Sequence, residues 1–276
     1  MQLYQAILMG IVQGLSEFLP ISSSAHLVFT SNFYKMLSNI DIIHSNQEIF
    51  LDIILHLGTL IAVFIYFRKE IFSIIKAFYL GIKTKDYHSE DFKTGVYIIL
   101  GTLITFSIAY PLNNIASKLV FKPHLVAILL IITSFILFIS EYIAKKYTNK
   151  KPVKMQNSIL MAIAQGIAAL PGFSRSGLTI ATGLLSGMDR STAAKYSFLL
   201  SIPIITGASI FYPILAFDFK ELITYNWTAI IIGFLVSGTV GYLCIKFFMK
   251  FLSKFSLTFF GYYCLFMGIF AFLIFS

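Results

Sequence analysis

The chain has 276 residues, of which 58% are hydrophobic and only 12% are charged, and its formal net charge is +9. Soluble domains contain about 25% charged residues, so this composition excludes an ordinary soluble globule and also a disordered chain. The two cysteines, Cys244 and Cys264, lie far apart in apolar runs, which excludes a disulfide scaffold or a cysteine-based zinc site. The composition indicates an integral membrane protein, and we interpret residues 1–276 as a single membrane domain.

Apolar segments follow one another along the chain. A helix needs about 20 residues to cross a hydrocarbon core of about 30 Å. The predicted transmembrane helices are Ile49–Phe67, Thr94–Tyr110, Leu125–Tyr142, Tyr196–Phe217, Trp227–Phe248 and Leu257–Phe275. Two more apolar stretches, Leu3–Phe29 and Met155–Gly187, are broken by proline and by serine-rich runs. The N-terminal stretch has no basic region before it and continues into Glu17, so we do not expect a cleavable signal peptide.

Basic residues concentrate in the connections Arg68–Lys93, Lys145–Lys154 and Lys246–Lys254, whereas Ser31–Glu48 and Asp218–Tyr225 are poorer in them. This asymmetry is typical of a multi-pass protein whose basic loops are cytoplasmic, and it explains the positive charge without nucleic acid as a partner. Because the six helices cross the membrane in alternating directions, the stretch Leu3–Phe29 must enter the membrane from the outside and return to the outside. The stretch Met155–Gly187 must enter from the inside and return to the inside.

Shifting the sequence by 152 residues reveals an internal repeat. Besides apolar identities, the shift pairs Gln13-Gly14 with Gln165-Gly166, Ser22 with Ser174, and Ser24 with Ser176. The copies cover residues 1 to about 145 and about 155 to 276, and the charge pattern gives them opposite orientations. The expected fold is therefore an all-α polytopic membrane protein with an inverted-topology repeat, each half a re-entrant helix hairpin plus three transmembrane helices. Such repeats gather polar groups at a central site, where non-helical backbone lines a cavity.

The chemistry is expected at the two breaks. The first reads QGLSEFLPISSSAH from Gln13 to His26, and the second reads PGFSRSGLT from Pro171 to Thr179. An arginine within a membrane costs about 2.5–3.5 kcal/mol on insertion scales, so Arg175 indicates an anionic ligand, and its planar fork of donors suits phosphate. The alternative is that the serines satisfy backbone groups at the breaks and Glu17 pairs with Arg175.

The remaining polar residues complete a set suited to phosphoryl transfer. The candidate substrate-binding residues are Gln13, Ser22, Ser24, Ser176 and Thr179, and the candidate metal ligands are Glu17 and Gln13. Glutamate and glutamine oxygens suit a hard divalent cation, Mg²⁺ or Ca²⁺. His26 can serve as an acid, a base or a phosphate acceptor.

Both breaks resemble the signature motifs of the undecaprenyl-diphosphate phosphatase, or bacitracin-resistance, family, and the resemblance covers essentially the whole chain, including Leu55-His-Leu-Gly-Thr59. It implies an enzyme that removes the terminal phosphate of undecaprenyl diphosphate and so recycles the lipid carrier for cell-wall synthesis. It also implies the bacterial inner membrane, with the active site facing the outer side. The catalytic residues it implies are Glu17, Ser23, His26, Ser174 and Arg175. The nucleophile is left open between Ser23, His26 and water.

This chain has Gln13 where the family carries Glu or Gln, which leaves one carboxylate in the pair, and Ala25 where glycine is usual. A secondary transporter or flippase for a polyprenyl phosphate or another anion is the competing interpretation, because inverted repeats are also typical of transporters. Asp52 and His56, four residues apart, either face the cavity together or bond to each other.

The other expected partners are membrane lipids, and a homodimer is one candidate for the oligomeric state. The histidines predicted to be solvated are His44, His88 and His124.

Overall fold

The computed structural model describes residues 2–38, 46–146, 152–216 and 222–276, and these ranges contain helices and no strand. The helices are α1 Leu3–Ser16, α2 Ser23–Ser38, α3 Asn46–Tyr66, α4 Arg68–Thr84, α5 Glu90–Leu119, α6 Pro123–Ala144, α7 Met155–Ile167, α8 Arg175–Leu185, α9 Arg190–Ala216, α10 Trp227–Leu252 and α11 Thr258–Phe275. The all-helical prediction is confirmed. Of the residues given a role from the sequence, His44 and Phe217 lie outside the described ranges.

Within the described ranges, six helices are long and apolar enough to cross a membrane: α3, α5, α6, α9, α10 and α11. They coincide with the six predicted segments. The two interrupted stretches each form a pair of shorter helices, α1 with α2 and α7 with α8, of 11 to 16 residues each. These helices are shorter than a membrane crossing requires. The chain is therefore a multi-pass membrane protein, and the re-entrant course of the two helix pairs stays a prediction.

One helix was not foreseen. The basic connection after α3 contains α4, which ends where Lys85 adopts a left-handed backbone with φ 58°. The helix packs against α5, where Phe78 lies over Gly95, and it leaves Phe72 and Tyr79 exposed. The segment is amphipathic, with lysines among its apolar residues. Such a helix suits the interface between membrane and water.

The two sequence copies are interleaved. Helix α1 packs against α10 of the second half, and α7 packs against α5 of the first half. Two glycines at equivalent positions of the repeat allow these helices to pack closely. A β-carbon on Gly14 would lie 2.7 Å from Cβ of Val240, and one on Gly166 would lie 2.7 Å from Cβ of Ile108. The paired Gln-Gly motifs therefore mark matching helix crossings, whereas the opposite membrane orientation of the two copies stays a prediction.

A buried carboxylate joins three of the long helices. Glu141 of α6 is 2% exposed. Its Oε1 accepts from Nε of Arg190 on α9 and from the backbone N–H of Leu257 before α11, each at 2.7 Å. Its Oε2 accepts from Nη2 of Arg190. Removing one partner of a buried ion pair leaves the other charge uncompensated.

We expect the Glu141→Ala variant to lose about 3 kcal/mol of stability, as is typical when a buried pair is broken. Thermal unfolding in detergent would reveal this as a lower melting temperature. The matched control is Glu90→Ala, because Glu90 pairs with Lys93 on the exposed start of α5 and surface pairs contribute little. Equal melting temperatures for the two variants would contradict the role assigned to Glu141.

Candidate active site

A single carboxylate brings the two predicted motifs together. Glu17 follows α1 directly and is 6% exposed. Its Oε1 accepts a hydrogen bond from Nη2 of Arg175 at 2.6 Å, across 158 residues of sequence. Its Oε2 accepts from Oγ of Ser23 at 2.7 Å and from Nε2 of Gln13, one helical turn earlier, at 3.0 Å. Four of the predicted site residues are thus in direct contact.

Ser23 and Arg175 occupy equivalent positions in the two copies. Each is the first residue of a short helix, α2 or α8. The residue before each is a serine that caps the helix: Oγ of Ser22 accepts from the N–H of Ala25 at 3.2 Å, and Oγ of Ser174 accepts from that of Gly177 at 3.0 Å. Two helix N-termini thus begin at the residues that bind Glu17, and such termini favour phosphate.

The two other predicted serines, Ser24 and Ser176, lie close to these caps. The hydroxyl oxygens of Ser22 and Ser24 are 3.3 Å apart, and the equivalent pair, Ser174 and Ser176, has the same separation. Oγ of Ser176 also donates to the carbonyl of Leu19 at 3.0 Å, which fastens the second break to the first. Ser24 differs from the others because it lines a cavity.

Thr179 lies one turn inside α8 and is fully buried. Its hydroxyl bonds the carbonyl of Arg175 at 2.8 Å and Oγ of Ser197 at 2.6 Å. Back-bonding to the preceding helical turn is usual for a threonine within a helix. The structure therefore places Thr179 behind the motif, against α9, and its predicted contact with substrate stays a prediction.

Two buried polar atoms beside Glu17 have no hydrogen-bond partner among the described residues. They are Nη1 of Arg175 and Oε1 of Gln13. A buried donor or acceptor without a partner is costly, so each is a candidate for a ligand atom. Nη1 of Arg175 suits an anionic oxygen. Oε1 of Gln13 suits a cation or a donor.

A cavity of about 110 Å³ lies beside this cluster. Its polar lining comes from α1, α2 and α3: Gln5, Ser24, Ser31, Glu48, Asp52 and His56. His56 was outside the predicted site, although its spacing from Asp52 was a signal. Nδ1 of His56 donates to the backbone carbonyl of Asp52 at 2.7 Å, and Nε2 lies 3.6 Å from Oε2 of Glu17. Asp52 and His56 therefore line one cavity, as the first alternative expects. They are also hydrogen-bonded to each other, but through the backbone carbonyl of Asp52 and not through its carboxylate.

His26 has different neighbours from those of the Glu17 cluster. Its Nδ1 lies 2.8 Å from the carbonyl oxygen of Ser22, and its Nε2 lies 2.8 Å from the hydroxyl of Tyr263 on α11. Both ring nitrogens are thus engaged within the protein, and neither bonds Glu17 or Arg175. Tyr263 is a site residue that the sequence motifs did not indicate. Of the other described histidines, His88 is exposed and His124 half-buried.

The donor set suits a hard cation only in part. Among the described residues, no group of three or more His, Cys, Asp or Glu side chains is arranged to hold a metal ion. The unpaired Oε1 of Gln13 and the carboxylate of Glu17 are oxygen donors of the kind that Mg²⁺ and Ca²⁺ prefer. Further ligands would have to come from substrate or water, which is usual for Mg²⁺.

The sequence between residues 6 and 270 matches the family model described as "Bacitracin resistance protein BacA". The chain belongs to this family. The match includes both breaks, so the family resemblance inferred from the motifs is confirmed.

Curated relatives align over nearly their whole length with this chain. "Undecaprenyl-diphosphatase" of Methanobrevibacter smithii is 37% identical over 99% of this chain and 98% of its own. The proteins of the same name from Halothermothrix orenii and Korarchaeum cryptofilum are 36% and 35% identical over 98% of this chain, and over 96% and 98% of theirs.

The unpaired Nη1 of Arg175 predicts anion binding that can be measured without turnover. We expect inorganic pyrophosphate to bind the wild-type protein in detergent and the Arg175→Lys variant to bind it at least about tenfold more weakly, because lysine keeps the charge but loses the fork. Isothermal titration calorimetry measures both affinities. Arg68→Lys is the matched control, since Arg68 is exposed and donates to the carbonyl of Ile65 at the end of α3, away from the Glu17 cluster. Equal affinities in all three proteins would contradict this role.

Proposed function

We propose that this protein is an integral membrane phosphatase that hydrolyses undecaprenyl diphosphate to undecaprenyl phosphate and inorganic phosphate. The observation that carries the proposal is the meeting of Ser23 and Arg175 on the two oxygens of Glu17. A hydroxyl, a base and a cationic fork in contact are what phosphoryl transfer requires. Family membership and the names of the curated relatives support the same substrate.

Ser23 is the best-placed nucleophile. Its hydroxyl hydrogen bonds the Glu17 carboxylate at 2.7 Å, within the range expected for a nucleophile and its base. His26 is a poor candidate, because both of its ring nitrogens are engaged by Ser22 and Tyr263. Arg175 would hold the terminal phosphate through its fork, and the N-termini of α2 and α8 would stabilise charge on its oxygens.

The proposed reaction has two steps. In the first, Oγ of Ser23 bonds to the terminal phosphorus, the bond from phosphorus to the bridging oxygen breaks, and the lipid monophosphate leaves. The hydroxyl proton passes to Glu17. In the second, water attacks the phosphoserine, the bond from Oγ to phosphorus breaks, and Oγ regains its proton from Glu17. The remaining water proton leaves with inorganic phosphate.

A divalent cation, Mg²⁺ or Ca²⁺, is part of the proposal. Oε1 of Gln13 and the carboxylate of Glu17 would hold it. When bound, it would supply positive charge that partly neutralises the diphosphate. Ser24, which lines the cavity, would contact the substrate phosphates. The homodimer stays a prediction.

The orientation follows from charge. The cavity includes Gln5 near the start of α1 and Glu48 near the start of α3, next to the connection that is poor in basic residues. Under the positive-inside rule this side faces outward. We therefore propose that the chain lies in the inner, cytoplasmic membrane with its active site open to the outer side, where it recycles the lipid carrier for peptidoglycan. A transporter would need no serine bonded to a carboxylate base, which disfavours that interpretation.

Replacing the nucleophile or its base should abolish turnover. We expect Ser23→Ala and Glu17→Gln each to reduce phosphate release from farnesyl diphosphate by about 1,000-fold or more, as is typical when a nucleophile or its base is removed. Ser107→Ala is the matched control, because Ser107 is exposed on α5 and bonds its own helix. Denaturation at neutral pH, which preserves both phosphoserine and phosphohistidine, followed by mass spectrometry should locate phosphate on Ser23. Phosphohistidine at His26, or no phosphoenzyme at all, would contradict the assignment.

The cation proposal has its own test. Chelator should remove activity from the purified protein, and added Mg²⁺ or Ca²⁺ should restore it. Gln13→Ala should raise the cation concentration required for half-maximal activity by about tenfold, since one oxygen ligand is lost. Gln165→Ala removes the repeat-related glutamine, whose Nε2 bonds Thr105 and Leu200, and should leave that concentration unchanged. Full activity in the presence of chelator would contradict the proposal that the reaction requires a divalent cation.

A further inference from the structure

The turn that presents Ser23 has a strained backbone. Ser22 adopts φ 69° and is 2% exposed. A side chain disfavours this left-handed region, and such strain persists only where surrounding contacts enforce it. Because Ser22 immediately precedes Ser23, the conformation of Ser22 sets the direction in which the Ser23 hydroxyl leaves the chain.

His26 holds this strained residue. The carbonyl oxygen of Ser22 accepts from the backbone N–H of His26 at 3.2 Å and lies 2.8 Å from its ring Nδ1. A carbonyl can only accept, so Nδ1 carries a proton. In the neutral ring, Nε2 then has a lone pair and accepts from the hydroxyl of Tyr263, at 2.8 Å. The three residues form one directed chain of hydrogen bonds, from Tyr263 through His26 to Ser22.

Helix α11 supports the first break at two neighbouring positions. Besides the bond of Tyr263 to His26, Sγ of Cys264 lies 3.4 Å from the carbonyl oxygen of Pro20. The rings of Tyr263 and His26 are nearly parallel, with 12° between their planes. Tyr262 points elsewhere and is 65% exposed. Helix α11 belongs to the second sequence copy, so a residue 237 positions away orients the serine motif.

We propose that Tyr263 is a positioning residue for the Ser23 nucleophile. Its hydroxyl fixes the tautomer and rotation of His26, and His26 then holds the Ser22 carbonyl so that Oγ of Ser23 stays 2.7 Å from Glu17. This rests on the proposed function, because it takes Ser23 as the reacting group. It also gives His26 a role that requires no bond between imidazole and phosphorus.

The first test compares Tyr263→Phe with Tyr262→Phe, using farnesyl diphosphate in detergent. We expect Tyr263→Phe to lower kcat by about 10-fold to 100-fold, the scale of a small misplacement of a reacting group. KM and the affinity for inorganic pyrophosphate should stay within about twofold, because Arg175 is not displaced. Tyr262→Phe should match wild type. A kcat for Tyr263→Phe within twofold of wild type would overturn the proposal.

A second substitution separates positioning from a general loss of structure. Glycine adopts φ 69° without strain, so Ser22→Gly reduces the need for the hydrogen-bond chain. The kcat loss caused by Tyr263→Phe should be at least about fivefold smaller in the Ser22→Gly background than in wild type. If Tyr263→Phe lowers kcat by the same factor in the Ser22→Gly background as in wild type, Tyr263 does not act through the backbone of Ser22, and the proposal would fail.

Variants of His26 give an independent measurement. The side-chain amide of asparagine can donate to the Ser22 carbonyl in place of Nδ1, whereas leucine, of similar size, cannot. We expect His26→Asn to retain at least about tenfold more activity than His26→Leu, with equal melting temperatures confirming that both fold. Equal inactivity of the two folded variants would favour a reacting imidazole. If wild type and Tyr262→Phe release no phosphate at all, the proposed function fails instead.

Discussion

The contact between Glu17 and Arg175 is the interaction on which the rest of the site depends. Each charge is expensive in a membrane domain, and each is stabilised by the other at 2.6 Å. Because the partners come from different halves of the chain, satisfying them forces the two helix breaks together. Burying an ion pair is not an efficient way to gain stability. Its value here is that it places a carboxylate, a hydroxyl and a partly unpaired guanidinium within one small volume.

Equivalent positions of the two sequence copies lie at the site, but they hold residues with different chemical roles. The hydroxyls of Ser22 and Ser174 cap their helices through equivalent hydrogen bonds, although the backbone of Ser22 is left-handed and that of Ser174 is extended. The first helical position after each cap faces the same carboxylate. That position is Ser23 in one copy and Arg175 in the other. The position of Glu17 corresponds to Ala169 in the second copy. Two helix N-termini at equivalent positions therefore present a nucleophile from one side and an anion-binding group from the other, with a single base between them.

Much of this arrangement was predictable from the sequence. Hydropathy located the six long helices because each is nearly continuous, and proline with serine located both breaks. A costly arginine and a nearby carboxylate indicated a meeting of charges. Helix α4 was missed because its lysines were read as loop charge and not as one face of an amphipathic helix.

Tyr263, and the contacts of Glu141 with Arg190 and Leu257, were missed for another reason. Their partners are remote in sequence, and no local pattern distinguishes them from ordinary interfacial or loop residues. The spacing of Asp52 and His56 indicated a shared face, but not that the face meets Glu17.

The interleaving of the helices has a consequence for biosynthesis. When the ribosome has completed only α1 to α6, the surface of α1 that later meets α10 is bare, and Glu17 has no guanidinium nearby. The reactive centre is therefore assembled only after α8, which carries Arg175, has been synthesised. A chain terminated after α6 would expose to lipid the surface of α1 at Gly14 and the surface of α5 at Ile108. Such a fragment lacks the helices that cover these surfaces in the complete fold.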